Sequence, residues 1–103
     1  MRRGEVWWAQ LPKPLGRRPV VLLSRDEAYG VRTAVTAAEI TTTVRNIPVE
    51  VALTKEDGLP KLCVANLDTV ITIRKDLLTE RICLLSPEKV REISDAVKFA
   101  LAL

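Results

Sequence analysis

Short runs of apolar and β-branched residues, separated by turn-forming residues, make up most of the chain before Ser86. These runs predict six strands, over Gly4–Leu11, Arg18–Ser24, Thr33–Ile40, Pro48–Leu53, Leu62–Ile73 and Arg81–Leu85. Strands this short, interrupted by Gly, Pro, Asp and Asn, are typical of a small antiparallel β structure. Single helical turns are predicted at 25–30 and 75–78. We therefore expect a strongly curved antiparallel sheet or a partial barrel.

The segment after the last predicted strand has the pattern of an amphipathic helix over about 87–101. Ser86 is a favourable N-cap, Pro87 suits the first helical position, and Glu88 suits the positive end of the helix dipole. Apolar side chains recur at helical spacing along one stripe, formed by Val90, Ile93, Val97, Ala100 and Leu101. Phe99 lies roughly opposite Val90, so we expect it to be exposed on a single chain.

Two pairs of adjacent large side chains occur in the predicted strands. Trp7 and Trp8 must point to opposite faces of their strand, so one is expected in the core and the other against solvent, a partner or a ligand. Arg17 and Arg18 directly precede Pro19 and an apolar run. Such arginines either keep a strand end solvated or hold fixed cations at a site on a rigid element.

Composition narrows the class of protein. A chain of 103 residues, 48% hydrophobic and 28% charged, predicts one domain spanning 1–103. No apolar run approaches the roughly 18 residues of a membrane span, and no apolar segment follows the basic N-terminus as in a signal peptide. We expect a cytoplasmic location. Cys63 and Cys83 lie in apolar segments and are expected to be reduced and buried rather than joined in a disulfide.

The chain contains no histidine, which removes the commonest general acid or base and the commonest metal ligand. We expect no metal site, since no ligand spacing is present. The net charge is +3 and is unevenly placed, because residues 1–45 carry eight basic and four acidic side chains. Seven of those eight are arginine, which binds phosphate through two hydrogen bonds and stacks on bases. This placement raises the prospect of a nucleic-acid partner.

Six segments of the chain carry a resemblance to a known family. They are RRGEVWWAQLP, GRRPVVLLSRD, EITTTVRNIPVEVAL, DGLP, VANLDTVITI and RICLLSPEKVREI. Their order and spacing over almost the whole chain resemble the MazF/PemK family of bacterial toxins. The resemblance implies a mainly β fold with helices, an SH3-like barrel of the PemK/CcdB type, assembled as a homodimer.

The resemblance also implies an activity and partners. The family's members are typically metal-independent endoribonucleases that cut single-stranded RNA at short sequences and so stop translation. A MazE-like antitoxin usually holds them inactive. Because RNA can be cut without a metal when its own 2′-hydroxyl attacks the neighbouring phosphorus, we expect 2′,3′-cyclic phosphate and 5′-hydroxyl ends. We therefore expect no cofactor, an RNA substrate (mRNA, with tRNA and rRNA as further candidates) and no membrane. An RNA groove lined by arginine suits an anionic mimic, so the antitoxin is expected to contribute an acidic, disordered tail.

The family's site residues are carried over position by position. The arginine before the family's "PV" corresponds to Arg18, and the threonine of its "IT" step corresponds to Thr41; both are expected to be catalytic. Asp68 matches an aspartate of some members and is a candidate acid or base. Further expected RNA contacts are Arg17, Arg25, Thr42, Thr43, Arg45 and Asn66.

The chain departs from the family at two places. Asn66 stands where some PemK-type members carry arginine, so a site with that second arginine is not expected here. The PKPLG loop is shorter than the Glu/Gln/Gly-rich segment of many relatives, and the contacts of that loop are not carried over.

Two alternatives come from other classes of protein. A CcdB-type gyrase poison shares the fold, but that activity is associated with a Trp-Gly-Ile ending, and this chain ends in KFALAL. A non-catalytic RNA-binding module on the same barrel is disfavoured by the presence of Arg18 and Thr41.

Overall fold

The computed structural model describes all 103 residues and contains six strands and two α-helices. The strands are β1 (Glu5–Leu11), β2 (Gly16–Leu22), β3 (Ala34–Thr41), β4 (Glu50–Leu53), β5 (Cys63–Arg74) and β6 (Leu78–Leu84). The helices are α1 (Ala28–Val31) and α2 (Pro87–Leu101), and single 3-10 turns lie at Lys55–Asp57 and Lys75–Leu77. The predicted C-terminal helix and both predicted helical turns are confirmed. None of these helices is long and apolar enough to cross a membrane.

All six strands form one sheet in the order β4-β5-β3-β2-β1-β6, and every neighbouring pair is antiparallel. Three of the five pairs join strands that are consecutive in sequence, and β3 pairs with β5 across β4. β1 pairs with β6, which brings the last strand to one edge of the sheet. The predicted mainly β fold with a C-terminal helix is therefore confirmed.

Each face of the sheet buries its own apolar cluster. One cluster includes Val6, Val21 and Ile40 and is covered by α2, which contributes Ile93 and Ala96. The second lies on the other face and includes Leu22 and Tyr29. Strict alternation along a strand sends successive side chains to opposite faces, so apolar pairs such as Val20-Val21 supply both clusters. The run that looks uniformly apolar in sequence is thus a strand buried on both sides.

The first turn of α2 is capped as predicted. The Ser86 side chain accepts a hydrogen bond from the backbone N–H of Lys89 at 3.2 Å, and Pro87 occupies the first turn. Phe99 is 63% exposed, as expected from its place outside the apolar stripe. A large aromatic side chain on the outer face of the helix leaves apolar surface available to a partner.

The predicted start of the second strand is wrong by two residues, and the reason bears on function. β2 begins at Gly16, so Arg17 lies within the strand rather than before it, and Arg18 is its third residue rather than its first. β3 pairs only with Val20–Leu22, which leaves the first half of β2 bonded to β1 alone. Pro19 lacks an N–H and is tolerated mid-strand because this side of β2 has no neighbour to receive one.

Several other predicted strand bounds also shift. β4 begins at Glu50 rather than Pro48, and β6 begins at Leu78 rather than Arg81. The loop before β4 is held by hydrogen bonds to the Glu50 side chain and does not pair with a strand. The polar residues at the start of β6 are in a strand because they pair with β1, so tertiary pairing overrides local propensity there.

The two cysteines are free, as predicted, with Cys63 buried and Cys83 half-buried. Burial raises the pKa of both thiols above the ordinary value, and the Asp57 carboxylate raises that of Cys63 further. Thiols in this state remain protonated at neutral pH and are poor nucleophiles.

Gly58 makes a close approach that a side chain would prevent. It ends the Lys55–Asp57 turn with φ +106°, and an added Cβ would lie 2.6 Å from the Cβ of Cys83. We expect Gly58→Ala to lower the free energy of unfolding by about 2–4 kcal/mol, from the left-handed backbone and the overpacking together. Chemical denaturation measures the change.

Gly30→Ala is the matched control for this substitution. Gly30 has no atom within 4 Å of an added Cβ and no positive φ, so its replacement should change stability by less than about 0.5 kcal/mol. Equal effects of the two substitutions would contradict the packing assigned to Gly58.

Candidate active site

Two adjoining cavities open where β2 begins and β3 ends, and both are lined by Arg18, Thr41 and Thr43. The larger cavity, about 340 Å³, adds apolar and basic walls from Trp8, Pro19, Thr42, Leu59, Pro60, Lys61 and others. The polar cavity, about 300 Å³, has no apolar lining and adds Glu39, Arg45, Asn66 and Thr69. The shared residues form the wall between the two cavities, so a ligand seated across it would contact both.

Arg18 is held in a defined orientation without being fully neutralised. Its Nε donates to the backbone carbonyl of Leu15 at 3.2 Å, and its Nη1 lies 3.8 Å from Oε1 of Glu39. The side chain is 39% exposed. Because only part of the guanidinium fork is engaged, its remaining N–H groups can bind an anion such as a phosphate.

Thr41 ends β3 and has its hydroxyl oriented by the chain that follows. Its Oγ1 accepts a hydrogen bond from the backbone N–H of Thr43 at 3.2 Å. Since a hydroxyl can accept and donate at once, the Thr41 hydrogen is free to point at a ligand in the cavity. Thr42 lies beside it on the wall of the larger cavity.

The two tryptophans divide between core and cavity. Trp7 packs against the second apolar cluster and donates its Nε1 hydrogen to Oε1 of Glu5 at 3.0 Å. Trp8 lines the larger cavity, with the Arg17 guanidinium 4.3 Å above its ring. Arg17 also pairs with Glu80 at 3.4 Å. The cavity therefore ends in an aromatic face with a cation over it, an arrangement on which a base can stack.

The loop between β3 and β4 brings Arg45 to the polar cavity. Oε1 of Glu50 accepts hydrogen bonds from the backbone N–H groups of Arg45 and Asn46, at 2.9 and 3.0 Å. On the opposite wall the Asn66 side chain is buried, and its Oδ1 accepts from the backbone N–H of Asp68 at 2.9 Å. The backbone of Arg45 and the side chain of Asn66 are thus fixed by these contacts, and both residues line the polar cavity.

Two of the residues expected in the site lie elsewhere. Arg25 is exposed and follows the far end of β2, roughly 20 Å from the start of that strand at 3.3 Å per residue. Asp68 is exposed and lines neither cavity, although Asn66 and Thr69 on either side of it line the polar cavity. The fold therefore gathers Arg18, Thr41, Thr42, Thr43, Arg45 and Asn66 around the cavities and leaves Arg25 and Asp68 outside. Arg17 lines neither cavity but lies over the ring of Trp8, which does.

Three residues of the site were missed in the sequence. Glu39 lies in a strand that is otherwise apolar or neutral, and a lone carboxylate at such a position is a signal that could have identified it. Lys61 follows a Gly-Leu-Pro turn that looks like an ordinary exposed loop. Thr69 gave no signal, because its place depends on an irregularity in β5.

The ionisable groups with shifted pKa values do not supply acid or base chemistry here. Burial, with help from Asp26, raises the pKa of Tyr29 to about 12, and its hydroxyl donates to the carbonyl of Ser24 at 2.9 Å. Cys63 lines the larger cavity as a protonated thiol. No group of three or more Cys, Asp or Glu side chains is arranged to hold a metal ion. What the cavities present is a partly free guanidinium, hydroxyl donors and an aromatic face.

Comparison with known proteins decides the family. The model of the PemK-like, MazF-like toxins of type II toxin–antitoxin systems matches residues 2–101. The chain belongs to this family. It is 38% identical over 100 residues to a probable endoribonuclease, MazF5, of Mycobacterium tuberculosis, covering 96% of this chain and 91% of that one. Family membership was thus correctly inferred from the six sequence segments.

Solved structures of family members match the fold closely. The Mycobacterium tuberculosis toxin MazF-mt6 superposes with a TM-score of 0.88 at 32% identity, covering 96% of this chain and 97% of that one. An endoribonuclease in complex with its cognate antitoxin, from a mycobacterial species, also gives a TM-score of 0.88, at 29% identity, with 100% and 96% covered. The sheet and C-terminal helix of this family member are therefore those of MazF toxins.

Proposed function

We propose that this family member is the toxin of a toxin–antitoxin system and acts as a sequence-specific endoribonuclease on single-stranded RNA. The observation that carries the proposal is the shared wall of the two cavities, where the guanidinium of Arg18 and the hydroxyl of Thr41 face the same space. A phosphate group bound there would meet a cation and a hydroxyl donor. The names of its relatives as endoribonucleases support the same substrate class.

The chemistry uses the RNA's own 2′-hydroxyl as the nucleophile. Its attack on the neighbouring phosphorus builds negative charge on the non-bridging oxygens and expels the 5′-oxygen, giving a 2′,3′-cyclic phosphate and a 5′-hydroxyl. Arg18 and Thr41 donate hydrogen bonds to those oxygens, and preorganised donors of this kind are usually the largest single contribution to such a rate. The reaction needs neither an external water nor a cofactor.

Binding of the RNA strand draws on the residues around that wall. Lys61 and Arg45 place positive charge in the two cavities, on opposite sides of Arg18 and Thr41. The Trp8 ring offers a stacking surface to a base, and stacking on aromatic rings is a general means of holding single strands. Exposed cations and a stacking platform favour an unpaired, splayed strand over a duplex.

A second partner is an antitoxin. Structures of MazF toxins with their antitoxins support this pairing, and the basic lining of the cavities suits an acidic, disordered segment that orders on binding. Part of the affinity is then electrostatic and weakens with salt. Since the RNA and the antitoxin segment are both anionic, they compete for Arg18 and its neighbours.

The chain acts as one domain in the cytoplasm, where its RNA substrate resides, and it assembles as a homodimer. Phe99, Leu101 and Leu103 are 63%, 55% and 83% exposed at the end of α2. Together they leave more apolar surface in water than one small core requires. A symmetric contact between two copies would cover it.

The central chemical prediction concerns Arg18 and the nucleotide on the 5′ side of the cut. Replacing the 2′-hydroxyl of that nucleotide with hydrogen should abolish cleavage, because the nucleophile is lost. Arg18→Ala should lower the single-turnover rate about 100- to 1,000-fold or more, by analogy with the loss of one oxyanion donor. Arg18→Lys should restore little, since an ammonium lacks the planar fork. Thr41→Val should lower the single-turnover rate by a smaller factor than Arg18→Ala does.

Arg32→Ala is the control for loss of one positive charge. Arg32 is exposed after α1, at the end of β3 remote from Thr41, and its replacement should leave the rate within about twofold. EDTA should leave the cleavage rates of both variants unchanged. Cleavage of the 2′-deoxy RNA, or by Arg18→Ala, at a near wild-type rate would refute this assignment.

The assembly prediction is a mass of twice the 11.5 kDa chain in sedimentation at micromolar protein. Phe99→Asp should shift the mass toward one chain, because it places a charge in the buried apolar contact. Val31→Asp places the same charge at an exposed apolar position on α1, where Val31 is 77% exposed, and serves as the control. A single-chain mass that is independent of concentration would rule out the homodimer.

A further inference from the structure

Glu39 is a carboxylate inside the site that accepts no hydrogen bond from the protein and has one charged neighbour, Arg18, at 3.8 Å. It lines the polar cavity beside Arg18 and Thr41, and its side chain is only 12% exposed. It precedes Thr41 by two positions on β3, so both side chains lie on one face with their Cα atoms about 7 Å apart. A phosphate held by Arg18 and Thr41 therefore has its neighbouring ribose within reach of this carboxylate.

The Glu39 carboxylate retains its capacity to accept hydrogen bonds. Its charged neighbour Arg18 lies 3.8 Å away, beyond hydrogen-bond distance, and no protein N–H or O–H group donates to it. Glu50, at the edge of the same region, instead accepts two backbone N–H groups and is committed to holding a loop. Glu39 can therefore accept a hydrogen bond and a proton from a ligand.

A break in the sheet explains how β3 accommodates this charge. Pairing of β3 with β5 stops at Ala38 and Val70 and resumes at Ile40 and Ala65. Glu39 alone thus lies opposite the four residues 66–69 of β5. Bulges of this kind re-aim side chains next to active sites. Here the irregular stretch of β5 contributes two polar groups, Asn66 and Thr69, to the cavity that Glu39 faces.

Other groups near the wall are unsuited to remove a proton from a 2′-hydroxyl. The Arg18 guanidinium stays charged in proteins and has no acceptor. Burial raises the pKa of the Cys63 thiol and keeps it protonated. Asp68 is exposed and lies outside both cavities.

We propose that Glu39 is the general base of the cleavage reaction, an assignment that rests on the ribonuclease function proposed above. Its carboxylate removes the proton of the 2′-hydroxyl as the 2′-oxygen bonds to phosphorus. The bond from phosphorus to the 5′-oxygen then breaks, and that oxygen takes a proton from water. Glu39 returns its proton to water after the cyclic phosphate leaves, so atoms and charges balance over the cycle.

The first test compares Glu39→Gln and Glu39→Asp on a cleavable RNA. Glu39→Gln keeps the shape and loses the proton acceptor, so kcat should fall about 100- to 10,000-fold while KM changes by less than about threefold. Glu39→Asp keeps a carboxylate and should retain more activity than Glu39→Gln despite its shorter reach. Asp76→Asn is the control, because Asp76 pairs with Arg74 at the remote end of β5.

The pH profile separates a base from a merely structural residue. The charged groups that line the cavity with Glu39 are Arg18 from β2 and Arg45 from the loop after β3, whereas β5 presents the uncharged Asn66 and Thr69. Arginine side chains are not deprotonated in proteins. In wild type, kcat should fall on the acid side as the base becomes protonated, and this fall should be absent from Glu39→Gln.

An RNA with sulfur in place of the scissile 5′-oxygen separates a base from an acid. A thiolate leaves without protonation, so this RNA rescues the loss of an acid but not the loss of a base. Glu39→Gln should remain slow on it. Rapid cleavage of this RNA by Glu39→Gln would overturn the assignment as base.

The remaining outcomes distinguish failure of the Glu39 assignment from failure of the proposed function. If wild type cleaves, Arg18→Ala does not, and Glu39→Gln cleaves at a near wild-type rate, then Glu39 is not the base and the ribonuclease function stands. If purified wild type cleaves no single-stranded RNA, both proposals fall. A retained acid-side fall in the pH profile of Glu39→Gln would also overturn the role of Glu39.

Discussion

β3 pairs with β5 along two stretches, Ala34–Ala38 and Ile40–Thr41, with four residues of β5 between them opposite one residue of β3. Pairing is also incomplete on the other side of β3, where β2 pairs with β3 only from Val20 onward. The polar cavity is lined from the start of β2, the end of β3 and this interior stretch of β5. Apolar clusters on both faces of the sheet hold the strands in this register, so the opening is a rigid feature of the core.

Much of the fold followed from residue pattern, because strands and one capped helix leave strong local signals. Alternation and turn residues located six strands, and Ser86-Pro87 located the start of α2. The start of β2 was misplaced because a proline inside a strand depends on which neighbours the strand has, which no local pattern contains. The irregular stretch of β5 depends on the pairing of β5 with β3, which is a long-range property.

The candidate site was predictable where a residue's identity coincides with a family motif. Arg18 and Thr41 were inferred in this way, and the fold brings them to one wall. Arg25 shares the residue type of Arg18 but lies past the other end of the same strand, so charge counting alone could not separate them. Glu39 and Lys61 were missed because their place in the cavity lining depends on strand pairing, which the local sequence does not contain. The chain contains no histidine, and the cavities are lined by a guanidinium and hydroxyl groups instead.

In the proposed mechanism, the RNA's own 2′-hydroxyl attacks a phosphate held by Arg18 and Thr41. The chemical nature of the two new RNA ends reports which group attacked. A defined single-stranded RNA would be cut by purified wild-type protein, and both fragments would be analysed by mass spectrometry. The upstream fragment should carry a 2′,3′-cyclic phosphate, and the downstream fragment should have a free hydroxyl at its 5′ end. A 3′-hydroxyl paired with a 5′-phosphate would show that water attacked instead and would contradict the mechanism.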